Sequence, residues 1–419
     1  VDFSADPAHD QTMAGNLENR HDVLIVGGGF VGGALGCALA GAGLSCLVID
    51  HDDPSAQLDA GFDGRSSAIA AAPRRLLRRL GIWQHVEEKA TPIEDIRVAD
   101  GSSPFFLHYD HTDLGEEPLG HMVENRHLRQ AVLASMKTVP RLHHLAPAEA
   151  VALDQGDSRV RLTLKDGRTV EAPLVIGCDG RGSWLRSAAE IPLTKWSYEQ
   201  VGIVCTVRHE RSHDNVAHEH FLPSGPFAIL PLTDNRSSIV WTEKANLAPA
   251  LLALPDNAFL EELSWRFGEF LGKLEVTGPR WSYPLSLQFA QRITDRRVAL
   301  AGDAAQAMHP IAGQGLNLGL RDVAALAEVV VDARRLGLDI GAGKVLDRYA
   351  SWRRFDSHLM LALTDGLNRL FSNDVAPVRV ARDVGLAAVE HMAPLKAYLM
   401  RHAMGEAGSL PRLLKGEAL

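Results

Sequence analysis

From Val23 to Ile49 the chain runs for 27 residues without a charged side chain, and eight of those residues are glycine. The run is long enough for a membrane-spanning helix, which needs about 20 apolar residues. Glycine at this density opposes such a helix, because each one costs roughly 1 kcal/mol relative to alanine in a helix interior. The glycines also fall where a strand, a tight turn, a helix and a second strand would need them. His21 to Val26 reads as a strand entering Gly27-Gly28-Gly29-Phe30-Val31-Gly32, a GxGxxG pattern on Gly27, Gly29 and Gly32. Gly27 would make the turn, Gly29 would let the backbone approach a pyrophosphate, and Gly32 would let the following helix pack close. That helix, Val31 to Ala42, would offer free N–H groups to an anion and stop at Gly43. Leu44 to Ile49 then delivers Asp50, where a carboxylate accepts both hydroxyls of a ribose. Strand, turn, helix and acid, spaced by about 20 residues, point to a bound dinucleotide rather than a packing turn. Which dinucleotide is left open by this unit alone.

Two more apolar strands break at an aspartate. Leu174-Val175-Ile176-Gly177-Cys178 runs into Asp179-Gly180, and Val298-Ala299-Leu300-Ala301-Gly302 runs into Asp303. The second continues through His309-Pro310-Ile311-Ala312 into Gly313-Gln314-Gly315-Leu316-Asn317, a turn that would start a helix whose N–H groups face negative charge. Taken singly, an aspartate after a strand is an ordinary turn residue that bonds the next backbone N–H groups. Together with the first motif, Asp179 and Asp303 read as groups converging on one ligand.

Composition narrows the classes. With 43 basic against 52 acidic residues the formal net charge is -9, which argues against nucleic acid as a partner. Cys37, Cys46, Cys178 and Cys205 form neither a CxxC pair nor a disulfide framework and read as reduced, mostly buried residues. Neither HExxH nor GxSxG occurs, so no metal and no serine nucleophile is expected. Residues 1–20 are polar, without the apolar core of a secretory signal or anchor, and read as a flexible tail on a cytoplasmic protein.

The three motifs, in this order and at these separations, resemble the class A FAD-dependent aromatic hydroxylases, the family of para-hydroxybenzoate hydroxylase. The resemblance covers nearly the whole chain after residue 20. Within it, the stretch His309 to Asp322 looks most like the ubiquinone-biosynthesis hydroxylases, 2-polyprenyl-6-methoxyphenol hydroxylase above all, with Gln306 where many relatives carry histidine. The resemblance implies that Gly27, Gly29, Gly32 and Asp50 hold the ADP half of FAD, that Asp179 and Gly180 lie where FAD and NAD(P)H are approached, and that Asp303 contacts the ribityl and pyrophosphate region. It implies cofactor contacts for Arg65 and Arg126, although Arg65 reads equally as a surface partner of Asp59 or Asp63. Gly313, Gln314, Gly315, Leu316 and Asn317 would shape the flavin edge, with His309 and Pro310 as candidate catalytic positioning residues; His309 reads equally as a packed loop residue. The implied chemistry is reduction of FAD by transient NAD(P)H, addition of molecular oxygen at the flavin C4a, and transfer of one oxygen atom from that hydroperoxide to a polyprenyl phenol.

The expected architecture is α/β: a Rossmann-like FAD-binding domain in three pieces (21–90, 121–192 and 292–345), an α+β antiparallel-sheet substrate domain (91–120 and 193–291), and a helical region over 346–419. Short strands at Gln200–Val207, Ala217–Phe221, Phe227–Leu232 and Ser237–Thr242, then a helix from Asn257 to Leu271 with Phe259, Leu260, Leu263, Phe267 and Phe270 on one face, carry that reading. An amphipathic carboxyl-terminal region could reach a membrane surface or other ubiquinone-biosynthesis proteins, or simply pack as a helical subdomain. Two other functions use the same motifs: an FAD-dependent reductase of isoprenoid double bonds, and a non-catalytic flavin- or prenyl-lipid-binding subunit.

Overall fold

The computed structural model describes residues 20–58, 63–101, 106–308, 313–371 and 389–419. The expected tail therefore lies outside the described residues, apart from Arg20, and so do His309 and Pro310.

The apolar runs pair as a six-stranded sheet in the order β18 (Thr294–Asp295), β19 (Val298–Leu300), β12 (Leu174–Gly177), β1 (Val23–Val26), β2 (Cys46–Ile49), β8 (Leu142–Leu145). All neighbours are parallel except β18 and β19. Every residue of β1 and β2 is buried, which explains why these strands read as continuous apolar runs without alternation. The two faces still separate by parity. Val23, Ile25, Cys46 and Val48 pack with helix α1 (Phe30–Gly41) and with the long helix that begins at Gln314; Leu24, Val26, Leu47 and Ile49 pack with Val160, Leu162, Val170 and Ala172. Those four belong to a small antiparallel sheet of β9 (Ala150–Gln155), β10 (Val160–Leu164) and β11 (Thr169–Ala172). The long helices thus lie on one face only, and on the other a second sheet takes their place, joined by the short helix Trp184–Ala188.

An eight-stranded sheet forms the second layer system, in the order β20 (Gln306–Ala307), β17 (Leu274–Ala290), β13 (Leu193–His209), β16 (Arg236–Lys244), β15 (Gly225–Leu232), β14 (Val216–Leu222), β5 (Asp95–Asp100), β6 (Phe106–Asp110). It draws its strands from both sides of the expected boundaries. Gln306–Ala307 joins it, whereas β4 (Thr91–Ile93) pairs with β7 (Gly120–Glu124) in a three-stranded sheet completed by β3 (Ser66–Ala70). One face of the large sheet is sealed by Phe259, Leu263 and Phe267 of α2 (Asp256–Phe267), which pack on Ile203, Phe227, Ile229 and Trp241. This helix stops four residues before its expected end, because Gly268 turns the chain at φ 84°, and Phe270 is left 40% exposed.

Two long helices close the first layer system: α3 (Gln314–Arg335) and α4 (Gly343–Phe371). They lock the end of β19. The Tyr349 hydroxyl donates to the Leu300 carbonyl at 2.8 Å, and buried Asp322 accepts from the Gly302 N–H at 3.0 Å and from Arg353 Nε at 2.6 Å. The Asp322–Arg353 pair is almost wholly enclosed, with side chains 1% and 4% exposed. Removing one member of such a pair strands the other charge and costs about 3–5 kcal/mol. Arg353→Met is therefore expected to lower the unfolding free energy by about 3 kcal/mol or more; an unchanged urea midpoint for the variant would refute the anchoring role of this pair.

Candidate functional site: three strand ends

β1, β12 and β19 lie side by side, and the three sequence motifs leave their carboxyl ends, where open α/β sheets bind ligands. The turns are in direct contact. Gly27 adopts φ 99°, and a Cβ there would collide with the Cys178–Asp179 peptide. A Cβ on Gly32 would collide with the Gly27 carbonyl oxygen, so α1 can start only where residue 32 has no side chain. Nothing lies within 4 Å of the Cβ direction of Gly29, the residue that caps α1 without a side-chain acceptor. The first turn of α1 contains no acidic residue, so its N–H groups face this open space uncompensated.

Asp50 is 5% exposed at the end of β2. Its Oδ2 accepts from the Gly28 N–H at 2.7 Å and its Oδ1 from the Asp52 N–H at 3.0 Å, which fixes the carboxylate while leaving acceptor capacity for hydroxyls. His144, at the adjacent strand end, was not singled out by sequence reasoning. Its Nε2 is buried without a partner among the described residues, and burial lowers its pKa despite the nearby Asp50 carboxylate.

At the second turn, Asp179 Oδ2 accepts from the Leu185 N–H at 3.0 Å, while Oδ1 is buried with no partner among the described residues. Gly180 has open space along its Cβ direction. Arg181, also overlooked in the sequence, ties the turns together: Nη1 donates to Ser286 Oγ at 3.0 Å, Nη2 to the Met308 carbonyl at 3.3 Å, and Nε lies 3.4 Å from Asp303 Oδ2. Asp303 sits in a hollow. Its side chain is 42% open, yet the surrounding protein raises its pKa, with Arg181 and Arg65 opposing.

Arg65 points its guanidinium at Asp63, with Nε to Oδ1 at 2.9 Å and Nη2 to Oδ2 at 3.0 Å, and its Cζ lies 4.6 Å from the Tyr283 ring centroid. Burial would raise the Asp63 carboxyl, but Arg65, with Asn125, outweighs it and holds the group at about 2. Sequence reading offered Asp63 as one surface partner of Arg65; the structure makes that pair, but on a buried aspartate. Arg126 pairs with Glu124 at 3.2 Å, and its buried Nε has no partner among the described residues. Asn317 is fully committed to the protein. Its Oδ1 accepts from the Ala70 N–H at 3.0 Å, and its Nδ2 donates to the Ala68 carbonyl at 2.8 Å and the Gly313 carbonyl at 3.2 Å. Gly313 caps α3, Gln314 opens it, Leu316 packs partly on the helical core, and Gly315 faces open space.

A ligand suited to this surface is elongated, with an anion at the α1 amino end, hydroxyls near Asp50 and further polar groups toward Asp179, Asp303 and the α3 amino end. The sequence pattern described as FAD binding domain matches residues 20–355. The chain belongs to that FAD-binding family. Among relatives, ubiquinone hydroxylase UbiL of Rhodospirillum rubrum is 54% identical over 416 residues, spanning 99% of this chain and 97% of that protein. The 3-demethoxyubiquinol 3-hydroxylase of Escherichia coli is 36% identical, over 92% of this chain and 98% of that protein. Among solved structures, p-nitrophenol 4-monooxygenase PnpA from Pseudomonas putida superposes with a TM-score of 0.77, covering 93% of this chain and 100% of that one at 18% identity, which establishes a common fold.

The cradle fits FAD: the orphaned Asp179 Oδ1, the orphaned Arg126 Nε and the open surfaces at Gly29, Gly180 and Gly315 are what a cofactor of this shape would engage or fill. Two glycine substitutions should separate packing from binding. Gly32→Val is expected to prevent folding of the family's α1 turn. Gly315→Val is expected to fold but bind FAD ~10–100-fold more weakly, an overpacking cost of about 1–3 kcal/mol. Circular dichroism and flavin absorbance read the two effects, and wild-type FAD content in Gly315→Val would remove that residue from the cradle.

Proposed function

We propose that the protein is an FAD-dependent monooxygenase that hydroxylates the aromatic ring of a polyprenylated phenol in ubiquinone biosynthesis, with NAD(P)H as transient reductant and molecular oxygen as co-substrate. The observation that carries this reading is the near end-to-end similarity to two hydroxylases named for ubiquinone chemistry, on a chain whose three strand ends form one FAD cradle. Bound FAD, once reduced, supplies an activated oxygen atom; the protein supplies binding, orientation and exclusion of water.

In this reading Gly27, Gly29 and Gly32 admit the pyrophosphate to the α1 amino end, and Asp50 takes the ribose hydroxyls. Asp179, Gly180 and Asp303 line the middle of the cofactor, and Gly313 to Asn317 set the flavin edge through α3 backbone N–H groups. Arg65, held by Asp63 and lying over Tyr283, closes the cradle against the large sheet, while Arg126 approaches it from the first turn of the helix Asn125–Thr138 that follows β7. The substrate ring then lies between flavin and sheet, on the face opposite α2. His309 and Pro310 keep their proposed positioning role, on residues outside the described ones.

A polyprenyl tail requires access to lipid. No helix among the described residues is long and apolar enough to cross a membrane. We infer a peripheral position on the inner membrane face, beside other ubiquinone-biosynthesis proteins, with the helix Ala393–Ala403 as the contact: it carries exposed Tyr398 and Arg401, while its Lys396 is held by Glu390 and Asp113.

The purified protein, given FAD, NAD(P)H, a short-chain polyprenyl phenol and isotopically labelled oxygen gas, is expected to yield product one labelled oxygen atom heavier, formed in step with nicotinamide oxidation. A saturated prenyl chain would indicate a reductase, and an unchanged lipid with bound flavin would indicate a non-catalytic subunit.

A further inference from the structure

Glu219 stands in the middle of β14, within His218-Glu219-His220. Successive strand residues point to opposite faces, and the histidines take the α2 side, where the His218 ring lies 4.8 Å from that of Phe270. Glu219 takes the other face, level with Ala228 of β15 and Val98 of β5. Following the register across the sheet, Ala228 pairs with Val240, Val240 with Val204, and Val204 with Trp281. Glu219 therefore shares its face with Trp281 and Tyr283, the residues that meet Gly64 and Arg65 at the cradle.

Two apolar clusters flank the carboxyl. On one side Ala217 groups with Ile93, Met122, Leu232 and, at its margin, Ala68, whose carbonyl accepts from Asn317 at the flavin-edge turn. On the other, Phe221 groups with Leu107, next to Val98 and Tyr109. Glu219 is half-buried in the hollow between them, and no hydrogen bond or ion pair engages its carboxyl among the described residues. Among the described residues, the titratable groups that share this face are Asp100 on β5, which is buried with a partner of its own; Tyr109 on β6, whose phenol burial and Glu390 push up to about 12; Glu390 beside Val389, which accepts from the His108 N–H; and, farther along the sheet, Arg236 of β16, which donates to Glu124, and Tyr283 beside Arg65. Among the described residues, Ala228 and Leu230 of β15, Ile93 and Met122 of the three-stranded sheet and Leu107 of β6 line the hollow, none of them ionisable, while Glu124 of the small sheet is held by Arg236. A carboxyl kept unpaired in an apolar hollow costs stability, and such groups concentrate at functional sites.

We propose that Glu219 is the general base of the hydroxylation, accepting the proton of the substrate's phenol hydroxyl as the ring is oxygenated. The inference rests on the hydroxylase reading above. In the step, the phenol O–H bond breaks, its proton bonds to a Glu219 carboxylate oxygen, and the electron pair stays on the phenol oxygen. From there it enriches the ortho and para ring carbons, which attack the activated oxygen supplied by the cofactor. When the hydroxylated ring regains aromaticity the hydrogen of the attacked carbon leaves as a proton and would join the second oxygen atom, which departs as water, while Glu219 returns its own proton to the phenolate, so no oxidant or reductant is consumed by the relay. Burial makes the group a competent base, because it pushes the Glu219 carboxyl up to about 7, far closer to a phenol's ordinary ~10 than a solvated glutamate near ~4.3.

The sign of the pH dependence follows. The base is ionised above about 7, so product formation by the wild type should rise with pH through that value. Glu219→Gln should keep its FAD absorbance and continue to oxidise NAD(P)H, yet form hydroxylated product on the order of 100-fold more slowly near neutrality. The deficit should shrink as pH approaches the phenol's own ~10. Normal product yield and an unaltered pH profile in FAD-loaded Glu219→Gln would overturn the proposal. Should that variant fail to load FAD, the wild type decides by itself, using two polyprenyl phenols that differ in ring fluorination. A rise at one common pH supports an enzyme base, whereas a rise that moves with each substrate's own acidity rules it out. A wild type that oxygenates neither phenol would defeat the hydroxylase reading and this one with it, while failure of Glu219 alone leaves wild-type oxygenation intact.

Discussion

The contact of the Gly27 turn with the Cys178–Asp179 peptide is the constraint on which the rest depends. It brings the ends of β1 and β12 to backbone contact, and the Cys178 N–H closes it by donating to the Val26 carbonyl at 2.7 Å. The third end is drawn in the same way, through the Ala301 N–H to the Gly177 carbonyl at 2.9 Å. Motifs separated by about 150 and about 120 residues therefore become one surface, and they do so through main-chain geometry that most side chains would obstruct. Glycine's usual disadvantage, the backbone entropy lost on ordering, is offset here by the burial on both sides of the parallel strands it joins.

That surface is only half of an enclosure. The three-stranded sheet of β3, β7 and β4 stands between the cradle and the large sheet and touches both. Its Ala68 and Ala70 hold Asn317 at the start of α3, while Ile93 and Met122 pack on Ala217 and Leu232. Displacement of the flavin-edge turn would thus be felt by the large sheet, through residues that contact no ligand. The face of that sheet not covered by α2 is consequently assigned by packing rather than by any motif: one side is sealed with phenylalanines, and the other must be completed by the cradle and whatever lies in it.

This division explains what the sequence could and could not disclose. Strands buried on both faces appear as apolar runs, and backbone jobs that demand glycine appear as motifs, so the strand ends that carry Gly27, Asp50, Asp179 and Asp303 were legible in the sequence. Ion-pair choices were not. Arg65 was read either as a cofactor contact or as a partner of Asp59 or Asp63, and its guanidinium lies on Asp63; the Arg126 pair with Glu124 and the part of Arg181 in joining the turns had no signal in the sequence. Such choices depend on which loops meet in space, and that follows from long-range packing. Glu219 was hidden for a different reason. In Val216–Leu222 the polar run His-Glu-His looks like a solvated edge, and only the register with Val98 and Ala228 shows the central carboxyl turning inward between two apolar clusters.

Asp303 and Glu219 show the same physics at two places on the enclosure. Each is a carboxyl whose surface remains open while protein surrounds it, and each is pushed upward by that surrounding. The outcomes differ because their neighbours differ. Asp303 has Arg181 at 3.4 Å and the field of Arg65 opposing burial, although burial prevails and its carboxyl stays above the usual range. Among the described residues no cation stands against Glu219, and burial alone pushes its carboxyl up to about 7. The two carboxyls thus differ in one physical respect, an arginine standing beside Asp303 and apolar side chains beside Glu219, and that difference is what separates an opposed burial from an unopposed one.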